Sequence, residues 1–137
     1  MGGLHLNRIR YLFDTHALIF WVNKESVSEE FIRFFDRQER QGTLYVSSIS
    51  FWEIAFLVKK RRLEMADIHG WKNDLLSSTN IRMLDPTASD MIDSTLLPDH
   101  HNDPFDRLLI TQARSGDFRL VTKDRYIQAY DVYYFWM

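Results

Sequence analysis

The sequence predicts an α/β fold in three layers, α/β/α, with helices on both faces of a central, mostly parallel sheet of about five strands. Three observations predict it. Short apolar runs rich in β-branched and aromatic residues alternate with segments of helical period along the whole chain. Acidic residues stand at several boundaries where such a run ends and a helix begins. The length, 137 residues, suits one domain over 1–137, and a hydrophobic share of 45 % is enough to fill its core.

The elements follow in order. Residues 9–13 read as the first strand, ending at Asp14, and 15–22 as a short apolar helix. Ser26 and Glu29 have the spacing of a capping box that opens a second helix. Val27, Phe31, Phe34, Phe35 and Gln38 repeat there at helical spacing, until Gln41-Gly42 stops the helix. Leu44-Tyr45-Val46 is a second strand. Ser50 and Glu53 have capping-box spacing at the start of a third helix, which is apolar almost all round from Phe51 to Val58. Such a helix is buried on more than one side, or meets another chain. It ends in Lys59-Lys60-Arg61-Arg62, cations suited to a helix C-terminus, and a solvated helix end is the plain reading of that run.

Ile68, Trp71, Leu75 and Leu76 mark a fourth helix, and 81–84 a third strand closed by Asp85-Pro86. Thr87 opens a fifth helix reaching Leu96, and 98–102 is a polar loop. Residues 103–114 form a sixth helix with Pro104 at its first position, where proline is favoured. Ser115-Gly116-Asp117 turns the chain into a strand at 119–122, and 132–136 is the last strand. Trp52, Trp71 and Phe105 read as core residues, and His16 as packing behind Asp14.

Composition excludes several classes. With no cysteine there is neither a disulfide nor a thiolate metal site, which suits a reducing cytoplasm. Residues 1–7 lack the apolar stretch of a signal peptide, and no apolar run is long enough for a membrane span. A net charge of −2 means that nucleic-acid binding must rest on a local patch. There is no Gly-rich phosphate loop and no GxGxxG, so nucleotide-cofactor folds lose support.

Each boundary acid has two readings. Asp14, Asp103 and Asp124 can cap the helices that follow them. Glu53 can complete a capping box, and Asp106 would lie in a first helical turn, where an acid is favourable. Yet Asp14 and Asp124 both lie just past strand ends, positions that converge on one crevice in an α/β sheet. Carboxylates gathered there repel one another, and a hard divalent ion would relieve them. Such an ion suits phosphate chemistry.

The words around these acids carry a resemblance. Asp14-Thr15-His16-Ala17, Trp52-Glu53-Ile54-Ala55, the stretch Leu97-Pro98-Asp99-His100-His101-Asn102-Asp103-Pro104-Phe105-Asp106-Arg107-Leu108-Leu109-Ile110 and Thr122-Lys123-Asp124 stand in a set order. In order and interval they resemble PIN domains, specifically the VapC-type toxins of bacterial toxin–antitoxin pairs that share the HHxDPFDRLLI word. Residues 59–63 lack a glycine usual in that subgroup, and Thr111 stands where alanine is usual; neither position is an acid.

The resemblance implies a cytoplasmic endoribonuclease, the toxin of a type II pair, that hydrolyses RNA with water activated by Mg²⁺ or Mn²⁺. Asp14, Glu53, Asp106 and Asp124 match the family's acidic quartet, which holds the metal. Asp103 is a further candidate as ligand, support or cap, and Thr15 and Thr122 are candidate supports for the carboxylates. Candidate RNA contacts are Arg107, Lys123, Arg125, Lys59 and Lys60, with Arg61 and Arg62 beside them. A homodimer and a VapB-like antitoxin are the partners implied.

The rivals are a PIN nuclease of RNA maturation or DNA without a toxin role, a non-catalytic PIN-fold RNA- or protein-binding module, and an aspartyl-phosphate receiver with Asp14 as acceptor. His100-His101 suggests zinc or metal-free acid–base cleavage; the flanking acids and loop setting, without a His-x₃-His helix face, disfavour zinc, and His catalysis is the less favoured reading. Loop ordering or a hydrogen bond to Asp103 is the expected role of that pair.

Overall fold

The computed structural model describes residues 8–137; residues 1–7, read above for a signal peptide, lie outside them. The elements run β1 (Tyr11–Phe13), α1 (Thr15–Asn23), α2 (Glu29–Gln41), β2 (Leu44–Ser47), α3 (Ser48–Lys59), α4 (Ile68–Ser78), β3 (Arg82–Leu84), α5 (Ala88–Ser94), α6 (Pro104–Ser115), β4 (Arg119–Val121), α7 (Arg125–Gln128) and β5 (Tyr134–Phe135). The five strands form one sheet of order β3-β2-β1-β4-β5. Every neighbouring pair is parallel, with Phe13 opposite Val46 on one side and Val121 on the other. No helix among the described residues is long and apolar enough to cross a membrane.

Successive residues of a strand face opposite sides, so each strand supplies two cores. Tyr11, Phe13, Leu44, Val46 and Val121 join Phe31 and Phe35 of α2 and Phe51 and Ile54 of α3 on one face. Leu12 and Leu120 join Leu109, Ile110 and Ala113 of α6 and Ile127 of α7 on the other. The central strand β1 is buried throughout, as a parallel strand covered on both faces must be.

Two helix starts differ from expectation. α2 is capped by Ser28, whose hydroxyl accepts from Phe31 N at 3.0 Å, and not by Ser26. Ser26 has φ 62° and Lys24 φ 56°, so both belong to the turn between α1 and α2. α3 begins earlier than Ser50: Ser47 is the cap, and its side chain accepts from Ile49 N. Ser50 is therefore interior, fully buried, and accepts a hydrogen bond from Thr15 Oγ1 at 2.9 Å. Glu53 is then no half of a capping box, and its burial needs another explanation. The capping box that does form is Thr87 with Asp90, at the start of α5.

Candidate metal-binding active site

The strand order sets where a site can form. The chain steps from β1 outward to β2 and β3, then returns to β4 on the other side of β1. Beyond the C-terminal ends of β1 and β4 the connections diverge, which opens a crevice. Asp14 immediately follows β1, and its N–H donates to Val121 O of β4 at 3.0 Å. Its Oδ1 accepts from Ala17 N at 2.7 Å, so it also caps α1. Asp124 follows β4 and caps α7, with Oδ1 accepting from Tyr126 N at 2.8 Å. Glu53 reaches the crevice from α3, and Asp103 and Asp106 from the start of α6. Asp103 caps α6 by accepting from Phe105 N at 2.8 Å and Asp106 N at 3.2 Å through one oxygen, Oδ1.

All five acids line a single cleft of about 480 Å³. Its electrostatics are those of carboxylates packed together. Burial, reinforced by the charges of Asp103, Glu53, Asp14 and Asp124, pushes the Asp106 carboxyl up to about 8. Burial likewise lifts Asp14 to about 6, against hydrogen bonds from Thr122 and Ala17 that favour its ionised form. Glu53 is raised by burial and then by Asp103, with Thr15 pulling the other way. Thr122 therefore lies against Asp14, and Thr15 beside Glu53.

These residues fit a hard divalent cation. The donors are mostly carboxylate oxygens, and Glu53 Oε1 is buried with no hydrogen-bond partner. An orphaned buried acceptor is costly, and a cation in the cleft would satisfy it. Asp14, Glu53, Asp106 and Asp124 would hold that ion. Among the described residues, one ligand atom from each of His101, Asp106 and Asp124 lies within 4.8 Å of the others. His101 Nε2 lies 2.8 Å from Asp106 Oδ2, so the expected bond to Asp103 is replaced by one to Asp106. The sequence reading did not place His101 in the site. Its one signal was a histidine in an acid-rich loop, five residues before Asp106.

The candidate cations separate. Lys123 lines the cleft, its ammonium 4.8 Å from the centre of the Phe20 ring. Lys60 and Arg62 line a second groove that shares His16, Glu53 and Asp103 with the cleft. Lys59, Arg61 and Arg125 are exposed outside both. Arg107 is only 9 % exposed, and its guanidinium donates to the carbonyls of Ser94, Leu97, Pro98 and His101. Its N–H groups are engaged by the segment before α6. Two further expectations are corrected. His16 does not pack behind Asp14 but is exposed at the cleft. Trp52 is not core but 60 % exposed, its ring against Phe56 one turn along α3 and the half-buried Phe105. Trp71 does pack against the first core, partly buried.

A parallel sheet of this order, with an acid-lined cleft at its switch point, defines a class of protein. The model of the PIN domain matches residues 11–133, and the chain belongs to that family. Over 123 residues it is 29 % identical to Ribonuclease VapC22 of Mycobacterium tuberculosis (strain ATCC 25618 / H37Rv), covering 87 % of this chain and 90 % of that protein. Among solved structures it is similar to VapBC2 of Rickettsia felis bound to a DNA fragment from their promoter, with TM-score 0.69 and 17 % identity over 92 % of this chain and 96 % of that one. It is similar also to DNA-bound VapBC of Salmonella typhimurium, with TM-score 0.68 and 18 % identity over 93 % and 96 % of the two chains. At such identities the structural likeness concerns the fold.

Proposed function

We propose that this PIN domain is a Mg²⁺- or Mn²⁺-dependent endoribonuclease and the toxin of a type II toxin–antitoxin pair. The observation that carries the reading is the convergence of Asp14, Glu53, Asp106 and Asp124 on one cleft, with Glu53 Oε1 unpartnered and the Asp106 carboxyl raised to about 8. Kinship with a ribonuclease over most of both chains supports RNA as the substrate.

The chain's own residues would act as follows. The four acids bind and orient the divalent ion. Thr122 holds the Asp14 carboxylate by hydrogen bonding, and Thr15, bonded to Ser50, lies beside Glu53 and favours its ionised form. Lys123, at the cleft wall, attracts the phosphate to be cut. The ion, when bound, supplies Lewis acidity that activates water and stabilises charge developing on the phosphate. No side chain serves as nucleophile, so no covalent enzyme intermediate forms.

The partner follows by analogy: the Rickettsia and Salmonella relatives are VapBC assemblies on DNA, and a VapB-like antitoxin is proposed here. A homodimer and a cytoplasmic location complete the reading, carried over from the family. The test exposes total cellular RNA and single-stranded DNA to the purified chain with Mn²⁺, with and without EDTA. New RNA ends that vanish with EDTA are expected. Cleavage of DNA alone would overturn the substrate, and cleavage that survives chelation would overturn the metal.

A further inference from the structure

We propose that His101 is itself a ligand of the divalent cation, giving the cleft a mixed nitrogen and oxygen donor set that prefers Mn²⁺ to Mg²⁺. This rests on the metal-site reading above and adds to it a residue outside the acidic quartet.

The first support is distance. His101 Nε2 lies 2.8 Å from Asp106 Oδ2 and 3.8 Å from Asp124 Oδ2. Around a small octahedral ion with bonds of about 2.1 Å, neighbouring ligand atoms stand about 3 Å apart and opposite ones about 4 Å. The 2.8 Å separation matches neighbouring ligands, the 3.8 Å one lies between neighbouring and opposite, and one ligand atom from each of the three residues lies within 4.8 Å of the others. The unpartnered Glu53 Oε1 on the wall of the same cleft points independently to a cation there.

The second support is the way the histidine is held. Tyr130 Oη accepts from His101 N at 2.9 Å and donates to Pro98 O at 2.7 Å. Arg107 Nη1 donates to His101 O at 3.1 Å while the rest of its guanidinium grips the same loop. Both anchors are almost fully buried. A buried guanidinium is tolerated only when its N–H groups are bonded, so this loop cannot easily shift without breaking several bonds at once. The clamp presents the imidazole of His101 to the acids. His100, one residue earlier, is exposed and packs edge-on to the Tyr130 ring.

The third support is chemical. Another carboxylate in this cleft would add repulsion to a group of acids that already raise one another. A neutral imidazole adds a donor without adding negative charge. Its nitrogen is also a softer donor than a carboxylate oxygen, which favours first-row transition ions over Mg²⁺.

The experiment combines titration calorimetry with pulsed electron paramagnetic resonance on the Mn²⁺-loaded protein. The wild type should show hyperfine coupling from one imidazole nitrogen, a readout that needs no variant to fold. His101→Ala should lose that coupling and bind Mn²⁺ about tenfold or more weakly, with a smaller loss for Mg²⁺. His101→Gln should not restore the coupling. Tyr130→Phe, which frees the loop, should keep the coupling and bind Mn²⁺ with intermediate affinity. Tight Mn²⁺ binding by the wild type without nitrogen coupling would overturn the ligand assignment and leave the metal site standing. So would unchanged Mn²⁺ affinity in His101→Ala. If the wild type binds neither ion, the metal-site reading falls, and this proposal with it.

Discussion

Asp103 and Asp106 stand three residues apart at the start of one helix and are held quite differently. Asp103 Oδ1 accepts two backbone N–H groups of the first turn, whereas Asp106 faces the cleft and meets His101. Asn caps a helix about as well as Asp but is a poorer ligand for a hard cation. Asp106→Asn should therefore cost orders of magnitude in RNA cleavage and leave the fold intact. Asp103→Asn should be milder, and Asp103→Ala should lower stability by about 1 kcal/mol through the lost cap. Cleavage assays and denaturant unfolding of the three variants check this; equal collapse of activity in both Asn variants would make Asp103 a ligand as well.

The raised Asp106 carboxyl has a consequence for stability. Below its ordinary value of 3.8 the group is protonated in both folded and unfolded chains and makes no difference. Between there and about 8 the unfolded chain releases the proton while the folded chain retains it, so rising pH favours unfolding. Above about 8 the difference is constant. Asp14, raised to about 6, acts in the same direction over a narrower window. Metal-free protein should lose melting temperature from pH 5 to pH 8, Asp106→Asn should flatten that slope, and saturating Mn²⁺ should restore stability at the upper end. A metal-free stability that rises across this range would contradict the crowding of acids described here.

At the scale of elements, periodicity and punctuation showed where helices and strands lie. The pattern of Phe31 and Phe35 marked the core face of α2, and Gly42, at φ 74°, ends it in a left-handed cap. A Cβ at Gly42 would meet nothing within 4 Å, so Gly42→Ala isolates backbone strain and should cost about 1 kcal/mol, measurable by chemical denaturation. What the sequence could not settle was which serine caps. Ser26 and Ser28 both precede α2, and Ser47, Ser48 and Ser50 crowd the start of α3. Any of them has the chemistry; only the path of the preceding turn decides.

Across the whole molecule, the α/β character and the gathering of the acids were legible because they depend on order along the chain. A strand followed by Asp14, and another followed by Asp124, face one crevice once the strands are parallel neighbours. The exposure of Trp52, the burial of Arg107 and the reach of His101 were not legible, because each depends on partners far away in sequence. Arg107 is buried only because the loop before α6 folds its carbonyls around it, and His101 reaches Asp106 and Asp124 only because Tyr130 comes from beyond β4 to hold that loop.

The central claim is that this cleft cuts RNA by hydrolysis with a divalent ion held by its acids. The most direct measurement is the chemistry of the new ends, read by ligation that distinguishes 5′-phosphate from 5′-hydroxyl and by removal of cyclic phosphate. Cleavage in Mn²⁺ should leave 5′-phosphate and 3′-hydroxyl ends and disappear in Asp106→Asn. Ends bearing 2′,3′-cyclic phosphate, formed in EDTA and retained in Asp106→Asn, would contradict it and move the chemistry to the histidines.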